Sequence, residues 1–256
     1  MMNRDISIKN DNELMLMREA GRLNAKALAA VREAVRPGIS TAELDRIAEN
    51  MIRENNAEPV FKGYPGPYPY PATLTICVNS ELVHGIPSEK ILLQEGDLVS
   101  IDCGTYYKGY VGDSAFTMGV GTISDEAQRL IDVTEQSLYE GIKKMWPGNR
   151  LGDVSSSIQN YVEKNGYFVT RIYTGHGVGK KMHEGPQLPN YGTPGKGLKL
   201  EPGMTIAIEP MVLVGTDKTR VLEDKWTVVS ADGSLTAHFE HTVGVTESGP
   251  IILTSL

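Results

Sequence analysis

Two stretches of this chain, offset by 107 residues, carry one pattern, and a chain built twice over has few folds open to it. Leu93-Gln94-Glu95-Gly96-Asp97-Leu98-Val99-Ser100-Ile101-Asp102 matches Leu200-Glu201-Pro202-Gly203-Met204-Thr205-Ile206-Ala207-Ile208-Glu209. Other matches keep the same order. Pro37-Gly38 and Pro147-Gly148 each close a helical stretch, and an offset of 110 lays Leu44 on Val154, Met51 on Tyr161, Ile52 on Val162 and Asn55 on Asn165. His84-Gly85-Ile86 corresponds to His176-Gly177-Val178, and Asp113 corresponds to Glu240. Matches in a shared order point to a duplication. They predict a single domain over residues 1–256, with halves of roughly 11–120 and 124–250 packed about a pseudo-two-fold axis. Each half is helix, helix, antiparallel strands, an α+β architecture whose antiparallel sheet is covered by two pairs of helices.

Capping chemistry marks the helices. Asn10 with Glu13 opens the first, whose apolar positions Leu16, Ala20, Leu23, Ala27 and Val31 recur at helical spacing. Ser40 with Glu43 opens the second, through Leu44, Ile47, Met51 and Ile52 to Asn55-Asn56. Ser124 opens a third that runs to Met145, and a fourth covers Asp153 to Asn165 with Gly166 behind it. Strands are predicted at Tyr167–Tyr173, Met204–Val214, Trp226–Val229, Leu235–Val245 and Ile251–Thr254. Tyr64-Pro65-Gly66-Pro67-Tyr68-Pro69-Tyr70-Pro71 is too rich in proline for either element. It reads equally as a rigid connector and as the lip of an apolar pocket, because tyrosines on a stiff loop lose little entropy on meeting a ligand.

The chemistry is concentrated where the duplicated pattern ends in an acid. Leu98–Ile101 reads as a buried strand, Lys108-Gly109 as a tight turn and Tyr110–Val120 as the return strand, which sets Asp102 nearly opposite Asp113. Opposed residues hold their Cβ atoms ~4.5–5.5 Å apart. Two carboxylates ~4 Å apart repel by about 4 kcal/mol at an effective dielectric of ~20, tolerable for a metal site, a proton-sharing dyad or a pair splayed to water. The duplication adds Glu209 and Glu240, making four carboxylates, with His176 as the imidazole. Two divalent cations would balance that charge. A carboxylate-rich set with one histidine suits Mn²⁺, Fe²⁺ or Co²⁺, with Zn²⁺ a further candidate, and is unlike a Cys/His zinc cage. Two such ions with a water between them generate a nucleophile for amide or ester hydrolysis.

Composition removes other classes. A net charge of −7 gives no footprint for DNA or an anionic membrane. The start Met1-Met2-Asn3-Arg4-Asp5 has no secretory apolar run, no stretch is long and apolar enough to span a bilayer, and Cys77 and Cys103 read as free thiols, so a cytoplasmic location is expected. Alternation turns Cys103 away from the face that carries Asp102, towards core packing.

Leu82-Val83-His84-Gly85-Ile86-Pro87, Gly175-His176-Gly177-Val178-Gly179, His183-Glu184-Gly185-Pro186, Ile208-Glu209-Pro210-Met211 and Glu240-His241-Thr242 resemble the signatures of the methionine aminopeptidases, over nearly the whole chain. The resemblance implies the pita-bread fold. It implies that Asp102 binds one ion, His176 and Glu209 the other, and that Asp113 and Glu240 bridge both. Glu209 would also receive the proton of the attacking water, and His84 and His183 would contact the substrate amide and its developing charge. Tyr70, Met182 and Trp226 are placed in the side-chain pocket. Thr75 stands where many relatives carry cysteine, and Met182 where several carry phenylalanine. The chain is similar to the bacterial type I form, because Glu209 and Glu240 are too close in sequence for the long helical insertion of type II, and no N-terminal zinc-binding extension is expected. The implied activity is removal of the initiator methionine from nascent polypeptides with a small second residue, by a monomer working near the ribosome. Met2 would then protect this chain's own Met1. His238 and His241 are expected as structural histidines, His241 alternatively as a partner of the metal residues. Two rivals are a proline-directed peptidase, for whose N-terminal domain there is no room here, and a binding module of the same fold that lacks ligands.

Overall fold

The computed structural model describes residues 6–256, so the expectation about Met1 and Met2 lies outside the described residues. α1 (Asp11–Ala34) starts with the reciprocal cap, Asn10 accepting from the Glu13 N–H while the Glu13 carboxylate accepts from Asn10. Ala20, Ala27 and Val31 are buried along it, with Leu16 and Leu23 only partly so, because the buried stripe runs through Met17, Gly21 and Asn24 instead. α2 (Thr41–Glu54) is capped by Ser40, and α3 (Asp125–Ile142) by Ser124. α3 stops a turn earlier than Met145. α4 (Leu151–Lys164) begins two residues earlier than predicted, where the Asp153 carboxylate accepts from the Arg150 N–H, and Gly166 follows it at φ +86°. α1 packs on α2 and α3 on α4, the two expected pairs.

Nine strands form one antiparallel sheet: β1 (Glu58–Pro59), β2 (Leu74–Val78), β3 (Leu98–Tyr107), β4 (Tyr110–Gly119), β5 (Thr174–Gly177), β6 (Glu184–Pro189), β7 (Thr205–Ile208), β8 (Glu240–Thr246) and β9 (Gly249–Ile252). Their order is β1-β3-β4-β8-β7-β5-β6, with β2 also on β3 and β9 also on β8. Two three-stranded sheets flank it, one joining 168–169, 211–213 and 236–238, the other joining 81–83, 219–221 and 228–230. The core lies between the main sheet and the helices, where Val99, Ile101, Ile206, Ile208 and Val243 meet Val31, Leu44, Leu130 and Val154. No described helix is long and apolar enough to cross a membrane.

Two strands predicted as continuous are interrupted. Met204–Val214 breaks at Glu209-Pro210, where proline has no N–H for the ladder, and the freed Glu209 carbonyl accepts from Asn190 Nδ2 at 2.9 Å. Leu235–Val245 breaks at Phe239, and the predicted 167–173 strand shrinks to 168–169. The hairpin needs a second correction. Lys108 (φ +48°) and Gly109 (φ +90°) form a two-residue loop with both residues left-handed, the turn whose twist suits a hairpin. Tyr107 therefore faces Tyr110, Asp102 faces Ala115 and Asp113 faces Gly104. The aspartates are diagonal neighbours on one face, a relation of ~7–8 Å between backbones rather than direct opposition.

α1 seats directly on this hairpin. A Cβ on Gly112 would lie 2.6 Å from Gly21 Cα, so glycine at both positions permits the contact. Buried Asn24 beside them donates to the carbonyls of Cys103 and Gly112 and accepts from Ser114, tying the helix to both aspartate-bearing strands. Cys103 is fully buried in the core, on the face away from Asp102.

Candidate active site

Alternation along paired strands gathers the acids. Reading across the sheet, Thr75 faces Asp102, Asp102 faces Ala115, and Ala115 faces Glu240, so these side chains form one row on one face. Asp113 stands two residues along from Ala115 on that same face. His241 faces Ile208, which brings Glu209, one residue beyond the end of β7, next to Glu240. His176 faces Ala207 and reaches the cluster from β5. The ligating atoms of Asp113, His176 and Glu240 lie within 4.8 Å of one another, an arrangement that could hold a metal ion. His176 Nε2 is 3.5 Å from Asp113 Oδ2 and 3.6 Å from Glu209 Oε1. Its Nδ1 is 2.9 Å from the Gly177 carbonyl, an acceptor only, so Nδ1 carries the proton and Nε2 offers its lone pair to the carboxylates' side.

The electrostatics are those of a site missing positive charge. Asp102 is pushed well above the usual carboxylate range, first by burial and then by Asp113. Glu209 is raised by burial and by Asp113 and Asp102, and Glu240 by burial, Asp113 and Glu209. Asp102 Oδ1, Asp113 Oδ1 and Glu240 Oε1 are buried without a hydrogen-bond partner among the described residues. Buried oxygens of this kind are costly unless paired or coordinated. Among the described residues, no lysine or arginine lines the cavity they share.

That cavity, about 180 Å³, has the acids as its floor and Phe61, Tyr64, Tyr70, Met182 and Trp226 as its apolar wall. The proline-rich loop is thus a wall of the cavity. Tyr70 Oη donates to the Leu74 or Gly85 carbonyl, at 3.0 and 2.7 Å, and its ring meets the Trp226 edge at 5.2 Å. A Cβ on Gly66 would lie 2.3 Å from the Trp226 ring, so that indole is held by backbone. An adjoining cleft of about 350 Å³ is lined by Val83, His84, Tyr173, His183, Gln187 and Met211. His84 borders both spaces, sits at φ +62° and is lowered to about 4 by burial, hence neutral. A non-glycine residue in this backbone region is strained, and such strain concentrates at functional sites. His183 also borders both, with its ring 4.3 Å from that of His176 and its basicity lowered by desolvation and by the His176 and His84 rings.

The structure thus brings Asp102, Asp113, His176, Glu209, Glu240, His84, His183, Tyr70, Met182 and Trp226 around one cavity. His241 is structural rather than a partner of the metal residues: it alternates away from Glu240, its Nδ1 2.9 Å from Thr254 Oγ1. His238 is the converse. Its Nε2 is buried, unpaired and 3.7 Å from Glu209 Oε2. The signal was its place two residues before Glu240, on the same face of the strand predicted over Leu235–Val245. Lys9 and Glu184 form a pair that the sequence does not signal: their 2.8 Å ion pair, with side chains 3% and 8% exposed, fastens the segment before α1 to the turn carrying Met182 and His183. No spacing rule joins residues so distant in sequence.

Comparison with known proteins agrees with this geometry. The model of metallopeptidase family M24 matches residues 15–247. A methionine aminopeptidase of Clostridium acetobutylicum is 52% identical over 249 residues, covering 97% of this chain and 98% of its own. Methionine aminopeptidase 1 of Bacillus subtilis is 50% identical, covering 97% and 99%. The crystal structure of a methionine aminopeptidase from Thermotoga maritima superposes with a TM-score of 0.96 at 45% identity, covering 98% of this chain and all of that one. The chain belongs to metallopeptidase family M24, among its methionine aminopeptidases of the bacterial type I form.

Proposed function

We propose that this chain hydrolyses the first peptide bond of polypeptides that begin with methionine and continue with a small residue, using two divalent cations held by Asp102, Asp113, His176, Glu209 and Glu240. The observation that carries the reading is the set of buried carboxylate oxygens, unpaired among the described residues, beneath an apolar cavity in whose lining those residues place no cationic side chain. That donor set fits manganese, iron or cobalt, with zinc a further candidate. When bound, the ions supply Lewis acidity and an acidified water at neutral pH.

The chain's own residues supply the rest. Tyr70, Met182 and Trp226 receive the methionine side chain, and the cleft by His84 and Met211 leaves room for a small second residue. Glu209, raised by burial among other acids, is suited to take the water's proton. His183 donates a hydrogen bond to the carbonyl oxygen as charge develops there, and His84 contacts the substrate amide. The five ligands come from both halves of the duplicated pattern, which supports a single catalytic unit over 1–256. We place it in the cytoplasm as a monomer acting on nascent chains near the ribosome.

The test is methionine release from Met-Ala-Ser, with each metal in turn, beside a peptide with proline as its second residue and a large first residue. Release of methionine with at least one metal is expected. Release with none, or preference for the proline peptide, would overturn the reading.

A further inference from the structure

Tyr64 Oη lies 2.5 Å from His183 Nδ1, with the rings edge to face and their centroids 5.3 Å apart. A neutral imidazole carries one N–H, so only one of two arrangements is present: Tyr64 O–H donates to a bare Nδ1, or Nδ1–H donates to the phenol oxygen. Two considerations favour the first. A phenol is a better donor than acceptor, an imidazole nitrogen is a better acceptor than a phenol oxygen, and the short contact sets the hydroxyl directly on Nδ1. Burial raises the Tyr64 phenol above its ordinary value, so its proton is retained for donation.

The loop holds Tyr64 in place for this. Tyr64 N–H donates to the Phe61 carbonyl at 2.8 Å, Tyr70 N–H to the Tyr64 carbonyl at 2.9 Å and Gly63 N–H to the Tyr70 carbonyl at 2.7 Å. These close a ring of backbone around three prolines, Pro65, Pro67 and Pro69, leaving the tyrosine little freedom. On the other side, Lys9 and the Lys181 N–H both bond to Glu184, the residue next to His183. Both partners are thus held independently.

We propose that Tyr64 is a positioning residue that fixes the His183 tautomer, accepting no proton itself but holding the ring's hydrogen on Nε2, where it can be donated to the substrate. The inference deepens the reading of His183 as a donor and rests on it only for its catalytic consequence. With the phenol gone, Nδ1 and Nε2 would share the proton, and the competent fraction, and kcat with it, would fall by about two- to tenfold with KM little changed.

The experiment is ¹⁵N NMR of the imidazoles in the metal-free full-length chain near neutral pH, with the His183 signals assigned by their loss in His183→Ala. Wild type should show His183 protonated on Nε2 alone. Tyr64→Phe keeps the ring packing and removes only the hydroxyl, and should give a mixture or the Nδ1–H form. An Nδ1–H tautomer in wild type, or the same tautomer in Tyr64→Phe, would overturn the inference. A changed tautomer with unaltered kcat supports the inference and overturns instead the assignment of His183 as donor.

Discussion

Replacing Lys9 with methionine keeps the unbranched stem and removes one charge from a pair that solvent barely reaches. Lys9 Nζ is 2.8 Å from Glu184 Oε2, and the side chains are 3% and 8% exposed. Screening is therefore weak, and removing one partner strands the other as a buried charge, a loss of ~3–5 kcal/mol. Glu184 keeps a 2.8 Å bond from Ser7 Oγ and a 3.2 Å bond from the Lys181 N–H, which places the expectation at the lower end, about 3 kcal/mol. For a chain of this size that is a fall in Tm of roughly 6–12 °C. The pH dependence has a definite sign. Burial works to raise Glu184, but its bonds to Lys9 and Ser7 outweigh it and hold the carboxyl below its ordinary value. The unfolded chain then binds more protons in that window, so the pair's stabilisation is full above the unfolded carboxylate value of ~4.3 and is lost as pH falls through the folded one. Wild type and Lys9→Met should converge in acid. Denaturant unfolding of Lys9→Met, Glu184→Gln and the double variant measures the coupling. A wild-type advantage under ~0.5 kcal/mol, or strict additivity of the two substitutions, would refute the argument.

Glu209→Gln should abolish methionine release even where metal remains bound, because an amide cannot take the water's proton; near-normal turnover at saturating metal would remove both roles proposed for this residue. His176→Ala should weaken metal binding in calorimetry, whereas His183→Ala should retain metal and lose about 10²–10³ in kcat, and equal metal loss in both would end the distinction. His238→Ala should weaken metal affinity about 10-fold, as loss of a group that supports a ligand does, while His241→Ala, facing Thr254, should leave it unchanged. Identical calorimetric curves for the two variants would show that His238 does not support Glu209.

Much of the molecule was legible because its determinants are local. Asn10, Ser40 and Ser124 cap helices through side chains that reach only three residues ahead, and alternation alone sends Asp102 and Cys103 to opposite faces. The duplicated pattern then drew Glu209 to Asp102 without any three-dimensional information. What escaped depended on how strands end and meet. The ladder stops before Pro210, so the strand leading to Glu209 is the short Thr205–Ile208 instead of the expected Met204–Val214, and a two-residue loop moves the hairpin register by two positions from direct opposition of its aspartates. Lys9 with Glu184 and Tyr64 with His183 join residues more than a hundred positions apart, each as one hydrogen-bonded pair, and no periodicity records such a pairing.

The hairpin register also bears on which lengths of chain a lineage can explore. Asp102 and Asp113 share a face only because eight paired positions and a two-residue loop separate their rungs of the ladder from its tip. One residue inserted in the loop and absorbed by sliding the return strand would turn Asp113 into the core and bring Ser114 to the cavity, since a single step of register reverses every side chain. An insertion of two would keep the faces but carry Asp113 to the place of Ala115, directly opposite both Asp102 and Glu240, and so destroy the spacing of the acids. Inheritance should therefore tolerate substitutions of Lys108 while rejecting any change in the count between the aspartates, and length variation should collect in segments such as 214–218, whose ends are not rungs opposite an acid.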